Sequence, residues 1–119
     1  MDIPNQDIIK VNEYLINHKS YLNKEVGDNI RKIRKEKRIS RADFSERSGI
    51  SLSYINQLET GEYGLTIIKL INICNALEIS PNELLNEFII GASTKEDKIY
   101  NELQKDKNIS LNILNYLKN

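Results

Sequence analysis

The sequence predicts an all-α fold built from short helices, and three observations carry that reading. Apolar residues recur at spacings of three and four rather than two, which fits helices and leaves no convincing strand. Ser, Thr, Gly and the run Ser80-Pro81-Asn82-Glu83 fall where helices need starts and stops. The chain has 119 residues, 39% hydrophobic and 29% charged, which suits a single globular domain with a modest core.

Each element can be read in turn. Residues 5–22 set Ile8, Val11, Leu15 and Leu22 at mostly helical spacing, with Ile9, Ile16 and Tyr21 widening the stripe, and predict one amphipathic helix without an internal stop. A second helix is expected over 26–37, with Ile30, Ile33 and Lys37 on one face and Arg31, Lys32, Arg34, Lys35 and Arg38 supplying charge. Ser40 reads as the N-cap of a short helix over 41–48, with Asp43 in its first turn and Phe44 as its anchor. Gly49 ends that helix, because glycine accepts the left-handed cap conformation. Ser51 caps the next helix, 52–60, whose inward residues are Ile55 and Leu58 and whose terminator is Gly61. Thr66 caps a helix over 67–77, with Ile67, Leu70, Ile71, Cys74 and Leu77 as its apolar positions. Ser80-Pro81-Asn82-Glu83 is a capping box, and the helix it opens carries Leu84, Leu85 and Phe88 and closes at Gly91.

The tail forms a separate unit. Ser93 or Thr94 starts a polar helix with Ile99, Tyr100 and Leu103, and Ser110 starts a last turn or two with Leu111, Leu114 and Leu117. The organisation expected is an N-terminal amphipathic helix at 1–23, a five-helix core at 24–91, and a helical tail at 92–119 available for oligomerisation.

Overall the chain carries no net formal charge, so the total says nothing about an anionic partner. The distribution says more. Residues 24–47 hold nine Lys or Arg against five acids, and from residue 78 onward five Lys face seven acids. The single cysteine, Cys74, sits in an apolar run and reads as a small buried thiol. The single histidine, His18, lies in the N-terminal helix and reads as a surface or partner-facing residue rather than a catalytic one. There is no zinc spacing, no GxGxxG and no P-loop, so neither an enzyme, a metal nor a cofactor is expected. No apolar stretch approaches the roughly 20 residues needed to cross a bilayer. The first residues lack the regions of a signal peptide, so a cytoplasmic protein with no membrane partner is expected.

The segment Arg41-Ala42-Asp43-Phe44-Ser45-Glu46-Arg47-Ser48-Gly49-Ile50-Ser51, leading into 52–60, carries the functional signal. Two short helices meet at a tight turn at Gly49. Ser45, four residues earlier, is small enough to let the second helix cross closely, and Ile50 plugs the turn. With Ile55 and Leu58 inward, residues 53, 56 and 57 fall on the opposite face.

These features resemble the Cro/cI-type helix-turn-helix proteins, also called the xenobiotic-response-element family. The matching blocks are Ile30-Arg31-Lys32-Ile33-Arg34, Ser40-Arg41-Ala42-Asp43-Phe44-Ser45, Gly49-Ile50-Ser51, Tyr54 through Gly61, Leu77, and Ile79 through Leu85. The resemblance implies a five-helix lambda-repressor-like DNA-binding domain, here with an extra N-terminal helix and a short helical tail. It implies a sequence-specific transcriptional regulator, a repressor before an activator, whose partners are double-stranded DNA and a second copy of itself on a palindromic operator. By the same resemblance, helix 52–60 reads the major groove through Leu52, Ser53, Asn56 and Gln57. Arg41, Ser51, Tyr54, Thr60 and Tyr63 contact the DNA backbone, and Arg34 and Glu59 form a structural ion pair. Three residues depart from the family pattern: Arg41 stands where Gln is common, Glu62 where Lys or Arg is frequent, and Leu65 where Pro is frequent. The rival reading uses the same fold through a regulatory protein partner, as an antitoxin or an antagonist of another repressor. Salt-labile retention on DNA separates the two.

Overall fold

The computed structural model describes residues 3–92 and Leu117. Among these residues the regular structure is all-helical: α1 (Asn5–Asn17), α2 (Lys19–Glu36), α3 (Arg41–Ser48), α4 (Leu52–Thr60), α5 (Ile67–Leu77), α6 (Pro81–Leu85), and a 3-10 turn at Asn86–Phe88. None of these helices is long and apolar enough to cross a membrane. The expected tail features at Ser93, Thr94, Ile99, Tyr100, Leu103, Ser110, Leu111 and Leu114 lie outside the described residues.

Three helix starts follow directly from side-chain capping. Ser40 accepts the Asp43 N–H at 3.1 Å, Ser51 accepts the Tyr54 N–H at 3.2 Å, and Thr66 accepts the Lys69 N–H at 3.2 Å. Each bond satisfies one of the amide donors a helix start leaves without a partner. At the start of α6 the Glu83 carboxylate accepts the Ser80 N–H at 2.9 Å, one leg of a capping box.

Helix boundaries differ from the sequence expectation at both ends of the chain. The first helix does not run to residue 22. The His18 ring Nδ1 bonds the Tyr14 carbonyl at 2.7 Å, which is the acceptor the His18 amide would use in a continuing helix. That amide turns to Leu15 O at 3.3 Å instead, and α1 stops. Tyr21 and Leu22 therefore belong to α2, which begins at Lys19 and not near residue 26. At the other end, Leu85 leaves helical geometry at φ −119°, and a 3-10 turn rather than an α-helix carries Phe88 into a buried position. Gly91 caps no helix.

The chain divides into two units. In the first, Lys19–Leu84, α2 packs on α4, and α3 packs on both α4 and α5. Its fully buried side chains are Ile30, Phe44, Ile55, Leu58, Ile73, Leu77 and Leu84. Asn29 Nδ2 donates to Leu84 O at 3.1 Å and ties the end of α6 to α2. The buried face of α2 is Val26, Gly27, Ile30 and Arg34, so Ile33 is only half-buried and Lys37 lies exposed beyond the helix. The inward face of α5 is Ile73, Cys74, Ala76 and Leu77, with Leu70 half-buried. Ile67 and Ile71, expected inward, are exposed. The stretch 67–74 is apolar at six of eight positions, so periodicity alone does not choose its buried side.

The second unit takes in the residues up to His18 and those from Leu85 onward. Val11 is its buried centre, and Ile3, Tyr14, Leu15, Ile90 and Leu117 pack against it. Leu117, from the tail, thus lies on the inner face of α1.

Among the described residues, two non-glycine residues hold positive φ where helices end, Arg38 at 59° and Glu78 at 55°. Glu78 caps α5, and the following amide, Ile79 N–H, reaches back to Cys74 O at 3.0 Å. A side chain in this left-handed region costs about 1 kcal/mol or more, and glycine avoids it. Glycine also loses more freedom on folding, which offsets part of the gain. Glu78→Gly should therefore raise stability by about 0.5 kcal/mol and the melting temperature by a few degrees, whereas Glu78→Ala should not. Thermal melts followed by circular dichroism check this; equal melting of the two variants would contradict it.

Candidate nucleic-acid interface

The turn between α3 and α4 is closed by its own hydroxyls. Gly49 takes φ 71°, and a Cβ placed there would meet nothing, so the demand for glycine is purely one of backbone conformation. Ser45 Oγ donates to Ile50 O at 2.6 Å, and Ile50 N–H donates to Ser48 Oγ at 3.1 Å. Ser45 is therefore more than a small residue at a crossing. It and the buried Ser48 satisfy the turn's backbone while Ile50 plugs the space beneath.

Helix α4 is fixed against α2 by contact between backbones. A Cβ on Gly27 would run into the Leu58 carbonyl and lie 3.2 Å from Glu59 O. At the end of α4, Gly61 caps the helix at φ 83°, and a Cβ there would lie 2.7 Å from Lys24 Cα. Each helix thus meets the other across a glycine.

A buried ion pair completes the attachment. Arg34 Nε donates to Glu59 Oε2 at 2.7 Å and Arg34 Nη2 to Glu59 Oε1 at 3.0 Å, a two-pronged pair between α2 and α4. Arg34 Nη1 donates to Ile39 O at 2.9 Å, so the same guanidinium also secures the turn into α3. Arg41, at the start of α3, adds a bond from Nε to Glu59 Oε1 at 3.2 Å. Its side chain remains 43% exposed.

What α4 presents outward follows from what it buries. Ile55, Leu58 and Glu59 face in; Leu52, Ser53, Asn56 and Thr60 are exposed, and Gln57 is half-buried at the edge. The next loop hangs on one atom: Gln57 O accepts from Glu62 N at 2.9 Å, Tyr63 N at 3.4 Å and Thr60 Oγ1 at 3.2 Å. Tyr54 donates its hydroxyl to Gly64 O at 3.4 Å, and its ring lies 5.1 Å from that of Tyr63. Lys69 Nζ sits 4.5 Å from the Tyr54 ring centroid. Ser51 and Tyr63 are exposed, as is the Glu62 side chain. The structure thus brings Arg34, Arg41 and Glu59 together, collects Leu52, Ser53, Asn56 and Gln57 on one side of α4, and commits the Tyr54 hydroxyl to the loop.

The exposed cations Arg31, Lys32, Lys35, Lys37 and Arg38 occupy the C-terminal part of α2 and the turn after it. Burial pushes the Cys74 thiol up, and the charge of Glu83 adds to this, so it stays protonated and is a poor nucleophile. Among the described residues no cluster of three or more His, Cys, Asp or Glu could hold a metal ion. Sequence reasoning missed Gly27 and Ser48. A glycine inside an otherwise continuous helical pattern was the available signal for the first. Nothing in the pattern marked the second.

Comparison with known proteins agrees with this geometry. The chain matches the helix-turn-helix family over residues 30–84. It is 36% identical over 64 residues to an uncharacterised HTH-type transcriptional regulator, y4dJ, of Sinorhizobium fredii, covering 54% of this chain and 83% of that protein. It is similar in fold to the restriction-modification controller protein C.AhdI of Aeromonas hydrophila. That similarity has a TM-score of 0.52 and 27% identity, and covers 53% of this chain and 96% of the other.

The ion-pair geometry makes a graded prediction. Glu59→Gln leaves Arg34 buried without its counter-charge and should cost about 3–5 kcal/mol. Arg41→Ala keeps the two-pronged pair and removes a half-exposed partner, so its cost should stay below about 1 kcal/mol. Urea unfolding of both variants gives the comparison. Similar midpoints would show that the pair does not hold α4.

Proposed function

We propose, from the premise that this chain belongs to the Cro/cI-type helix-turn-helix family of DNA-binding transcriptional regulators, that it is a cytoplasmic repressor reading a palindromic operator as a homodimer, with α4 in the major groove. The row of exposed Leu52, Ser53 and Asn56 with half-buried Gln57 at its edge, on a helix whose opposite side is locked by Gly27 and the Arg34–Glu59 pair, carries this reading. Base reading requires side chains held in a fixed register, and a helix anchored on its buried side provides it.

Gln57 and Asn56 have the amide geometry to bond N6 and N7 of adenine, Ser53 bonds base edges through its hydroxyl, and Leu52 suits a thymine methyl. Arg41 spends Nε on Glu59 and directs its remaining guanidinium donors to a phosphate. Ser51, Thr60 and Tyr63 flank the same groove, and Tyr54 supports them by bracing the loop. The cations of α2 add to the attraction for the duplex. One domain reads only a few base pairs, so two copies on half-sites about one helical turn apart give the selectivity a genome requires.

Footprinting on the region upstream of its own gene tests the reading as a whole. Absence of salt-labile DNA binding, together with a tight protein partner, would favour an antitoxin or antagonist role instead. Two variants test the residues. Gln57→Ala should weaken specific binding by about 1–3 kcal/mol and relax preference at one base position, with little change on random DNA. Arg41→Ala should weaken binding on all sequences and make the salt dependence shallower by about one phosphate's worth. An unchanged slope in a titration against salt would remove Arg41 from the contact.

A further inference from the structure

Between Arg47 and Lys69 the chain carries no Lys or Arg, while Glu59 and Glu62 are both acids. Helix α4 and the loop after it therefore bring no positive charge of their own to a duplex, whose attraction for proteins rests on phosphates neutralised by cations. Exposed Glu62 adds repulsion at the same place. Lys69, the first cation after the loop, has its ammonium 4.5 Å from the Tyr54 ring centroid. Arg41 answers part of the deficit from α3, with its Nε already given to Glu59. On the DNA-binding reading above, on which this inference rests, the charge at the end of α4 has to come from another element.

The start of α2 supplies it. A Cβ on Gly61 would lie 2.7 Å from Lys24 Cα and 3.0 Å from Lys24 Cβ, so the cap of α4 rests on Lys24 itself. A Cβ on Gly64 would lie 2.8 Å from Asn23 Oδ1, so the other side of the loop rests on the preceding residue. The loop that holds Glu62 and Tyr63 is thus seated across two consecutive residues of α2. Lys24 meets Gly61 through its backbone and Cβ, which leaves the rest of its side chain available, and that side chain is 66% exposed.

We propose that Lys24 is a further DNA-backbone contact beside Thr60 and Tyr63, and that it reaches phosphate by leaving Asp28. Lys24 Nζ lies 3.5 Å from Asp28 Oδ2, one turn further along α2, and the Asp28 side chain is itself 50% exposed. An exposed pair of this kind contributes little. With Lys on the N-terminal side it also stands in the weaker order for a helix. A duplex phosphate adds the release of condensed counterions, so exchanging the carboxylate for phosphate is favourable. Asp28 is the resting partner of the ammonium, displaced when DNA arrives. Lys35 carries the same charge on the same helix but lies about 16 Å further along its axis.

Titration of full-length variants against salt, on the operator found by footprinting and on random duplex, tests the contact. Lys24, Asp28 and Lys35 are exposed, so Lys24→Gln, Asp28→Asn and Lys35→Gln should melt like the parent. Lys24→Gln should bind both duplexes more weakly at low salt, and to the same degree. Having lost one phosphate per bound copy, its affinity should fall about threefold less than the parent's between about 50 and 200 mM salt. Lys35→Gln should keep most of the parent's salt dependence. Asp28→Asn should bind more tightly, by up to about fivefold, the equilibrium equivalent of an exposed pair. That gain should vanish when Asp28→Asn is combined with Lys24→Gln. An unchanged salt slope in Lys24→Gln, or an equal loss in Lys35→Gln, overturns the contact. An Asp28→Asn gain that persists without Lys24 overturns the exchange, because Asp28 would then repel the duplex by itself. Each of these outcomes leaves DNA binding by the parent in place, whereas a parent that binds neither duplex refutes the functional reading together with the contact.

Discussion

Burial of the Glu59 carboxylate is the constraint on which the rest of the DNA-reading unit turns. A charge removed from water is costly unless it is paired and hydrogen-bonded. Glu59 meets that requirement with one two-pronged arginine from α2 and a second arginine from α3. Three helices are thereby referred to one side chain. Because Arg34 also bonds Ile39 O, the turn that delivers α3 is held by the same group. Well-packed apolar residues often serve a core equally well, so burial of such a pair is not in itself a gain in net stability.

Close approach of α2 and α4 makes that pairing geometry available. Gly27 lets the Leu58 carbonyl lie against the α2 backbone, and Gly61 lets Lys24 lie against the end of α4. Downstream, the loop after α4 takes its shape from the Gln57 carbonyl, which belongs to a half-buried residue at the edge of the polar face of α4. The backbone that positions Gln57 also positions Thr60, Glu62 and Tyr63. Surface chemistry divides along the same lines: cations on the far part of α2, a polar row on α4, and an uncharged isoleucine patch on α5.

Much of this was legible in the chain as written. Capping residues announce themselves, because Ser40, Ser51 and Thr66 each accept an amide three residues on, and Ser80 gives its own amide to the Glu83 carboxylate, so none depends on anything distant. Gly49 and Gly61 are legible for the same reason, as sites of positive φ beside a helix end. The polar face of α4 follows from Ile55 and Leu58 once the helix is recognised. Helix limits were harder where a side chain intervened. The break at His18 arises from its ring taking the Tyr14 carbonyl, and periodicity does not register that competition.

Local chemistry thus determined the order of the helices, their caps, the turn between α3 and α4, and the polar row on α4, because each depends on neighbours within about one helical turn. Tertiary structure decided what depends on distant partners. Which side of α5 is buried was undetermined by a run apolar almost all round; packing against α3 turned Ile73 and Cys74 inward and left Ile67, Ile68 and Ile71 in solvent. Gly27 became a contact site only because α4 passes over it, and Arg41 gained Glu59 only because α3 and α4 fold back on each other. Leu117 found the inner face of α1 from the far end of the chain, a pairing no spacing rule encodes.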